Sequence, residues 1–180
     1  MTGKIAKDIP RPPDVGPEPP AARAPSGRVV DLGPMAEFIG FYLRHAFEAS
    51  FADFSRTLGA DQLKPGSFAL LSLIVGNPGL TQVELGRVSG RDKSSVTSAL
   101  RQLEDRGIIR RERLEGDRRS YASYVTPAGE KVYARMAQKA QAHFRRLDEI
   151  VGPERKAAFL ATLRDISAGL DIDTDGETRG

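Results

Sequence analysis

The chain has 180 residues, enough for one domain with extensions and a core that needs neither disulfide nor metal to hold it. It carries no cysteine and two histidines, which excludes thiolate metal sites, cysteine nucleophiles and thiol redox sensing and argues against a histidine metal cluster. Lys and Arg number 27 against 24 Asp and Glu, a formal +3 that permits a nucleic-acid partner without requiring one.

No apolar run approaches the roughly 18 residues of a membrane span. Met1–Pro20 has no signal-peptide core, so the expectation is a soluble, cytoplasmic protein with no membrane partner. Seven of the 12 prolines precede residue 30, with few large apolar residues between them. Such a segment buries too little to offset its ordering entropy, and residues 1–32 are expected to form a disordered, Pro-rich arm. Residues 173–180, polar and acidic, are expected to be a tail.

After Pro34 a broad apolar stripe begins, and Leu43, Phe47, Phe51, Phe54 and Leu58 recur at helical spacings of three and four. Gly59 is its stop. Pro65 opens a short apolar helix over 66–75, closed by Gly76-Asn77-Pro78-Gly79. Thr81 and Glu84 make a capping box for a second short helix, with Val83, Leu85 and Val88 expected inward. Asp92 caps a third helix reaching Arg106, with Val96, Ala99, Leu100 and Leu103 inward and Gly107 at its C-terminal turn.

Two strand-like pieces follow, 108–113 and 120–125, joined by a charged tip over 114–119 into a hairpin. Thr126-Pro127 starts a long helix in which Tyr133, Met136, Ala140, His143, Leu147 and Ile150 form a heptad-like seam. Gly152-Pro153 breaks it, and Leu160, Leu163, Ile166 and Leu170 mark a last helix.

Three short helices followed by a basic hairpin is the order of a winged helix-turn-helix. The outward face of the third helix carries Ser94, Thr97, Ser98, Arg101 and Gln102. Small hydroxyls allow close approach to bases, and Arg and Gln offer bidentate contacts to base edges. Lys93 at the helix start suits a phosphate, and Arg118 and Arg119 at the hairpin tip suit a minor groove. A solvated helix face and a solubilising loop are the bland readings of each feature alone. In this order and spacing they favour double-stranded DNA as the partner.

The stretch from Phe68 to Glu130 resembles the multiple-antibiotic-resistance regulator (MarR) family of transcription factors. Leu80-Thr81-Gln82-Val83-Glu84-Leu85, Asp92 to Thr97, Leu103 to Arg111, and Asp117-Arg118-Arg119-Ser120 with Val125-Thr126-Pro127-Ala128-Gly129 carry the likeness. The flanking helices extend it over about 35–170. The resemblance implies a mainly α fold with a small β-hairpin wing, a winged helix-turn-helix flanked by N- and C-terminal dimerisation helices. The homodimer it implies spans a pseudo-palindromic operator, with Asp117 bracing the wing and Arg119 entering the minor groove. The corresponding division is 33–60 dimerisation helix, 61–126 DNA-binding domain and 127–172 dimerisation helices.

The family likeness also implies a repressor released by a small organic effector. Phe38, Tyr42, His45 and Phe68 are the candidate effector residues, although an aromatic stripe is more often core or interface. The lack of cysteine removes a peroxide-sensing mode and the separated histidines speak against a zinc-sensing one. A small aromatic acid or its coenzyme A thioester is the expected effector, with no cofactor and no metal. An effector-independent DNA binder and a winged-helix protein-interaction module remain as alternatives. No phosphate loop and no paired catalytic carboxylates support an enzyme.

Overall fold

A computed structural model describes residues 22–23, 26–59, 63–114 and 117–170. Its elements are β1 (Ala22–Arg23), β2 (Val29–Val30), a 3-10 turn (Gly33–Glu37), α1 (Ile39–Leu58), α2 (Pro65–Gly76), β3 (Leu80–Thr81), α3 (Gln82–Ser89), α4 (Lys93–Asp105), β4 (Ile109–Leu114), β5 (Asp117–Val125), α5 (Pro127–Val151) and α6 (Pro153–Gly169). The expected fold class holds: mainly helical, with a small three-stranded wing and flanking helices. No helix among the described residues is long and apolar enough to cross a membrane. The chain forms two compact units that divide inside α1, between Glu48 and Ala49.

In the first unit, β1 pairs antiparallel with β2, Ala22 opposite Val30 and Arg23 opposite Val29. This ladder lies within the segment expected to be an unstructured arm. The β-branched Val29-Val30 pair and Gly27, at φ 79°, supply a strand and a turn there. Residues 1–21 and 24–25 of the expected arm, and the expected tail, lie outside the described residues.

The second unit holds the core. Leu70, Leu71 and Ile74 of α2, Leu85 of α3, Val96, Leu100 and Leu103 of α4 and Met136 and Ala140 of α5 are fully buried in one cluster with Leu58 and Ile109. Each large aliphatic side chain there contributes about 1.5–3 kcal/mol of burial. The inward face expected for α4 is therefore complete. That of α3 is not: Leu85 is buried, but Val83 and Val88 are 72% and 63% exposed. An eight-residue helix offers one turn's width to the core, and Leu85 occupies it.

Local signals set the boundaries. Thr81 Oγ1 accepts from the Glu84 amide while Glu84 accepts from the Thr81 amide at 2.8 Å, the expected capping box. At the end of α4, Gly107 donates to Glu104 and Ile108 to Leu103, a Schellman pair that needs the positive φ of 64° at Gly107. Thr126 Oγ1 accepts from Gly129 and donates to the Gly107 carbonyl, so α5 starts pinned to the turn that ends α4.

The sheet order is β3-β5-β4. β3 was not legible in the sequence. Its two residues pair with Ser123 and Ala122 and are too few to show a period. The hairpin is also longer than expected, because β5 begins at Asp117 opposite Leu114, after an irregularity between Arg113 and Leu114. Asp117, Arg118 and Arg119 are strand residues by backbone, not loop.

The seam on α5 divides. Met136, Ala140 and His143 are buried within this chain, whereas Leu147 and Ile150 are exposed. The first part of the seam therefore packs on the chain's own core, and only its last part is left for another partner. α6 has no buried residue.

Candidate nucleic-acid interface

Asp92 builds the start of α4. Its carboxylate accepts from the Ser95 amide at 2.9 Å, the Ser95 hydroxyl at 2.6 Å and the Ser94 hydroxyl at 2.5 Å. The Ser94 hydroxyl, then the Ser95 hydroxyl and amide, hold this carboxyl far below the usual carboxylate range. It stays ionised at the positive end of the helix, where a negative charge is stabilised.

The outward face of α4 then presents Lys93, Ser94, Thr97, Ser98, Arg101 and Gln102, all exposed, along one shallow groove with Asp105. The structure brings these six predicted residues together on one surface. Ser94 gives its proton to Asp92, and Thr97 gives its proton to the Lys93 carbonyl at 2.7 Å. Gln82 Nε2 donates to Thr97 Oγ1, also at 2.7 Å, tying α3 to the middle of this face. Sequence reasoning missed Gln82, although its place just after the capping Thr81 was a usable signal. Arg101 lies 3.9 Å from Asp105, a loose pair with both side chains largely in solvent. Pairs of this kind contribute little, so Arg101 is free to reorient toward a base.

The wing is joined to α4 at its root. Arg111 of β4 pairs with Glu104 of α4 through its Nε at 2.7 Å and through its Nη2, both partly buried. Further along, the Arg110 guanidinium stands 4.7 Å from the Tyr124 ring centroid, and Arg113 Nε donates to the Tyr121 hydroxyl at 3.0 Å. Such cation–π contacts stiffen long cationic side chains over the strands. The side chains of Asp117, Arg118 and Arg119 lie outside the described residues.

The candidate effector residues do not converge in one unit. Phe38, Tyr42 and His45 belong to the first, where Phe41 packs on Tyr42 at 5.4 Å and on His45 at 4.3 Å. Tyr42 donates to the Ala36 carbonyl at 3.0 Å. Phe68 belongs to the second and is a core residue, 5% exposed, with its ring against Phe54 and Tyr133. Burial in the apolar stripe of α2 outweighs any exposed role. No cluster of three or more metal-ligating side chains occurs among the described residues.

Comparison with known proteins agrees with this geometry. The MarR family model matches residues 63–121. A putative transcriptional regulatory protein for the hcr operon of Thauera aromatica is 38% identical over 107 residues, 59% of this chain and 64% of that protein. The match thus spans less than two thirds of that relative's length. The structure of the transcriptional repressor CouR bound to a 23-mer DNA duplex is similar with a TM-score of 0.70 and 31% identity, over 78% of this chain and 99% of that one. CouR bound to p-coumaroyl-CoA gives 0.69 and 29%, over 77% and 97%. With its winged helix-turn-helix and these matches, the chain belongs to the MarR family, whose members are DNA-binding transcription factors and not enzymes.

Proposed function

We propose that this protein is a homodimeric transcriptional repressor that reads a pseudo-palindromic operator and is released by a small aromatic acid or its coenzyme A thioester. The observation that carries the reading is the α4 face, where Lys93, Thr97, Ser98, Arg101 and Gln102 stand exposed on a helix whose opposite side is fully buried. A helix held so rigidly can enter a major groove without losing its core. Arg101 and Gln102 take the base-reading role, Lys93 a phosphate, and Arg118 and Arg119 the flanking minor groove.

Dimerisation through 33–60 and 127–172 is supported by apolar side chains that one chain leaves in solvent. Ile39, Phe47, Ile150, Phe159 and Leu170 are between 47% and 72% exposed. A second copy is the partner such surfaces fit. The effector class is supported by the CouR complex with p-coumaroyl-CoA and by the aromatic contacts of Tyr42 and His45 with Phe41. A ligand that binds only the DNA-incompetent spacing of the two recognition helices empties the operator by population shift.

The test is fluorescence anisotropy with duplexes from the region upstream of the protein's own gene, followed by titration with aromatic acids and their thioesters. Salt-dependent duplex binding that one of these compounds reverses is expected. Duplex binding that none of them affects leaves an effector-independent binder, and a monomer in light scattering at micromolar concentration removes the two-fold reader.

A further inference from the structure

Hydroxyls on the outward face of α4 can donate to a base only while their protons are uncommitted. Each hydroxyl has one proton to give and two lone pairs. Thr97 Oγ1 lies 2.7 Å from the Lys93 carbonyl, an oxygen that only accepts, so its proton is held inside the helix. Gln82 Nε2, reaching across from α3, lies 2.7 Å from the same oxygen. Because the Thr97 proton is already given to Lys93, Gln82 must present its N–H here and not its carbonyl, which fixes the orientation of the amide.

A β-branched side chain has few staggered positions, and two bonds on one oxygen select among them. Thr97 is nevertheless exposed, and it lines the shallow groove that Lys93, Ser98, Arg101 and Gln102 also line. What it has left for a partner there is a methyl group and one lone pair. That lone pair sits on an oxygen already flanked by two partners, so the methyl is the more accessible of the two. The acceptors that guanine and thymine show in a major groove need a donor, which Thr97 in this state is not. The thymine 5-methyl group needs only an apolar neighbour at close range.

We propose that Thr97 determines specificity by reading the 5-methyl group of a thymine, and that Gln82 is its positioning residue. The inference rests on the function proposed above, in which α4 enters a major groove. Gln82 touches no base in this role. It holds the Thr97 oxygen toward α3 and so keeps the methyl in one place before DNA arrives, which lowers the rotamer entropy lost on binding. A threonine on this face thus acts as an apolar reader, and the hydroxyl serves the protein's own structure.

The full-length protein first selects its operator from a pool of random duplexes. Anisotropy then compares that operator with copies in which single thymidines, changed in both half-sites together, are replaced by deoxyuridine. Deoxyuridine keeps every hydrogen-bonding group of the base pair and lacks only the methyl. At one position or more the replacement should weaken binding by about fourfold per half-site, the factor that burial of one methyl group gives. Thr97→Ser keeps the hydroxyl and both its bonds, and should abolish the penalty at that position alone. Thr97→Val keeps a methyl without the hydroxyl, and should retain the penalty. Gln82→Ala should shrink the ratio of thymidine to deoxyuridine affinities, whereas a merely structural loss would lower both affinities equally. The thymine reading is overturned by the absence of any penalty, by a full penalty in Thr97→Ser, or by its loss in Thr97→Val. An unchanged ratio in Gln82→Ala overturns the positioning role. A pool that yields no enriched duplex overturns the DNA-reading function itself, an outcome distinct from an operator that is bound with no regard to its thymine methyls.

Discussion

Nδ1 of His143 lies 2.7 Å from Oδ2 of Asp53, so a buried imidazole on α5 is clamped to the C-terminal half of α1. The ring stacks on Phe54 at 4.7 Å with planes 9° apart, and its Nε2 is 3.3 Å from the Ser50 hydroxyl. Asp53 also receives Arg146 and Arg56. Both ring nitrogens of His143 and both carboxylate oxygens of Asp53 therefore have partners, and the patch joins α5 to the C-terminal half of α1.

Asp53→Asn should lower stability at neutral pH and flatten its acid dependence. The hydrogen bond from His143, followed by the charges of Arg146 and His143 and the bond from Arg56, outweighs burial and holds the Asp53 carboxyl below its ordinary value. A depressed native value contributes stability that is present above the unfolded value, near 3.9, and is lost as pH falls through the native one. Urea midpoints between pH 3 and 7 check this. A variant whose midpoint falls with acid as steeply as the wild type would show that another carboxylate carries the linkage.

Much of this fold was legible because short-range chemistry fixes it. Thr81 with Glu84, Asp92, Gly107 and Thr126 are local signals, and each bounds the helix it was expected to bound. What was not legible depends on partners distant in sequence. β3 exists because β5 offers Ser123 and Ala122, and Val83 and Val88 stay exposed because Leu85 alone meets the core. His143 fits a helix seam by spacing, and its real partners stand on α1, about ninety residues away. On the recognition surface, residue type and wheel position placed the α4 side chains, but the Gln82–Thr97 bond and the Glu104–Arg111 pair needed coordinates.

Thr126→Ala should cost about 1 kcal/mol, the usual loss for an N-cap. The hydroxyl accepts from Gly129 at 3.0 Å and donates to the Gly107 carbonyl at 2.6 Å, so the loss reaches the turn that positions the wing as well as α5. Thr126→Ser keeps both bonds and should recover most of the stability. Equal denaturation midpoints for the alanine and serine variants would place the effect in the methyl group instead.

Arg101→Ala should lose discrimination at particular base pairs, by about 1–3 kcal/mol for the contact removed. Its pairing with Asp105 is loose, so little internal structure is lost with it. Anisotropy against an operator and a set of single-base variants is the measurement. A uniform loss across operator, variants and random duplex would make Arg101 a phosphate contact.

The wing allows a test in which two physical effects predict opposite signs. Asp117 opens β5 opposite Leu114, just past the irregularity in β4, and Arg118 and Arg119 follow it along the strand. Placing two long cationic side chains in a minor groove costs rotamer entropy, and a strand start held by a carboxylate lowers that cost in advance. Arg119→Ala should therefore weaken operator binding and make its salt dependence shallower, by about 0.9 of log–log slope for each phosphate-neutralising charge lost per dimer. Arg118→Ala should act the same way to a smaller extent. Asp117→Ala removes a negative charge from a surface proposed to meet DNA, so simple electrostatics predicts tighter binding. Bracing predicts weaker binding with little change in salt slope, because no phosphate contact is itself removed. Affinities of the three variants at two salt concentrations separate these. Tighter binding by Asp117→Ala would reduce that residue to a repulsive charge, and the bracing role would have to be dropped.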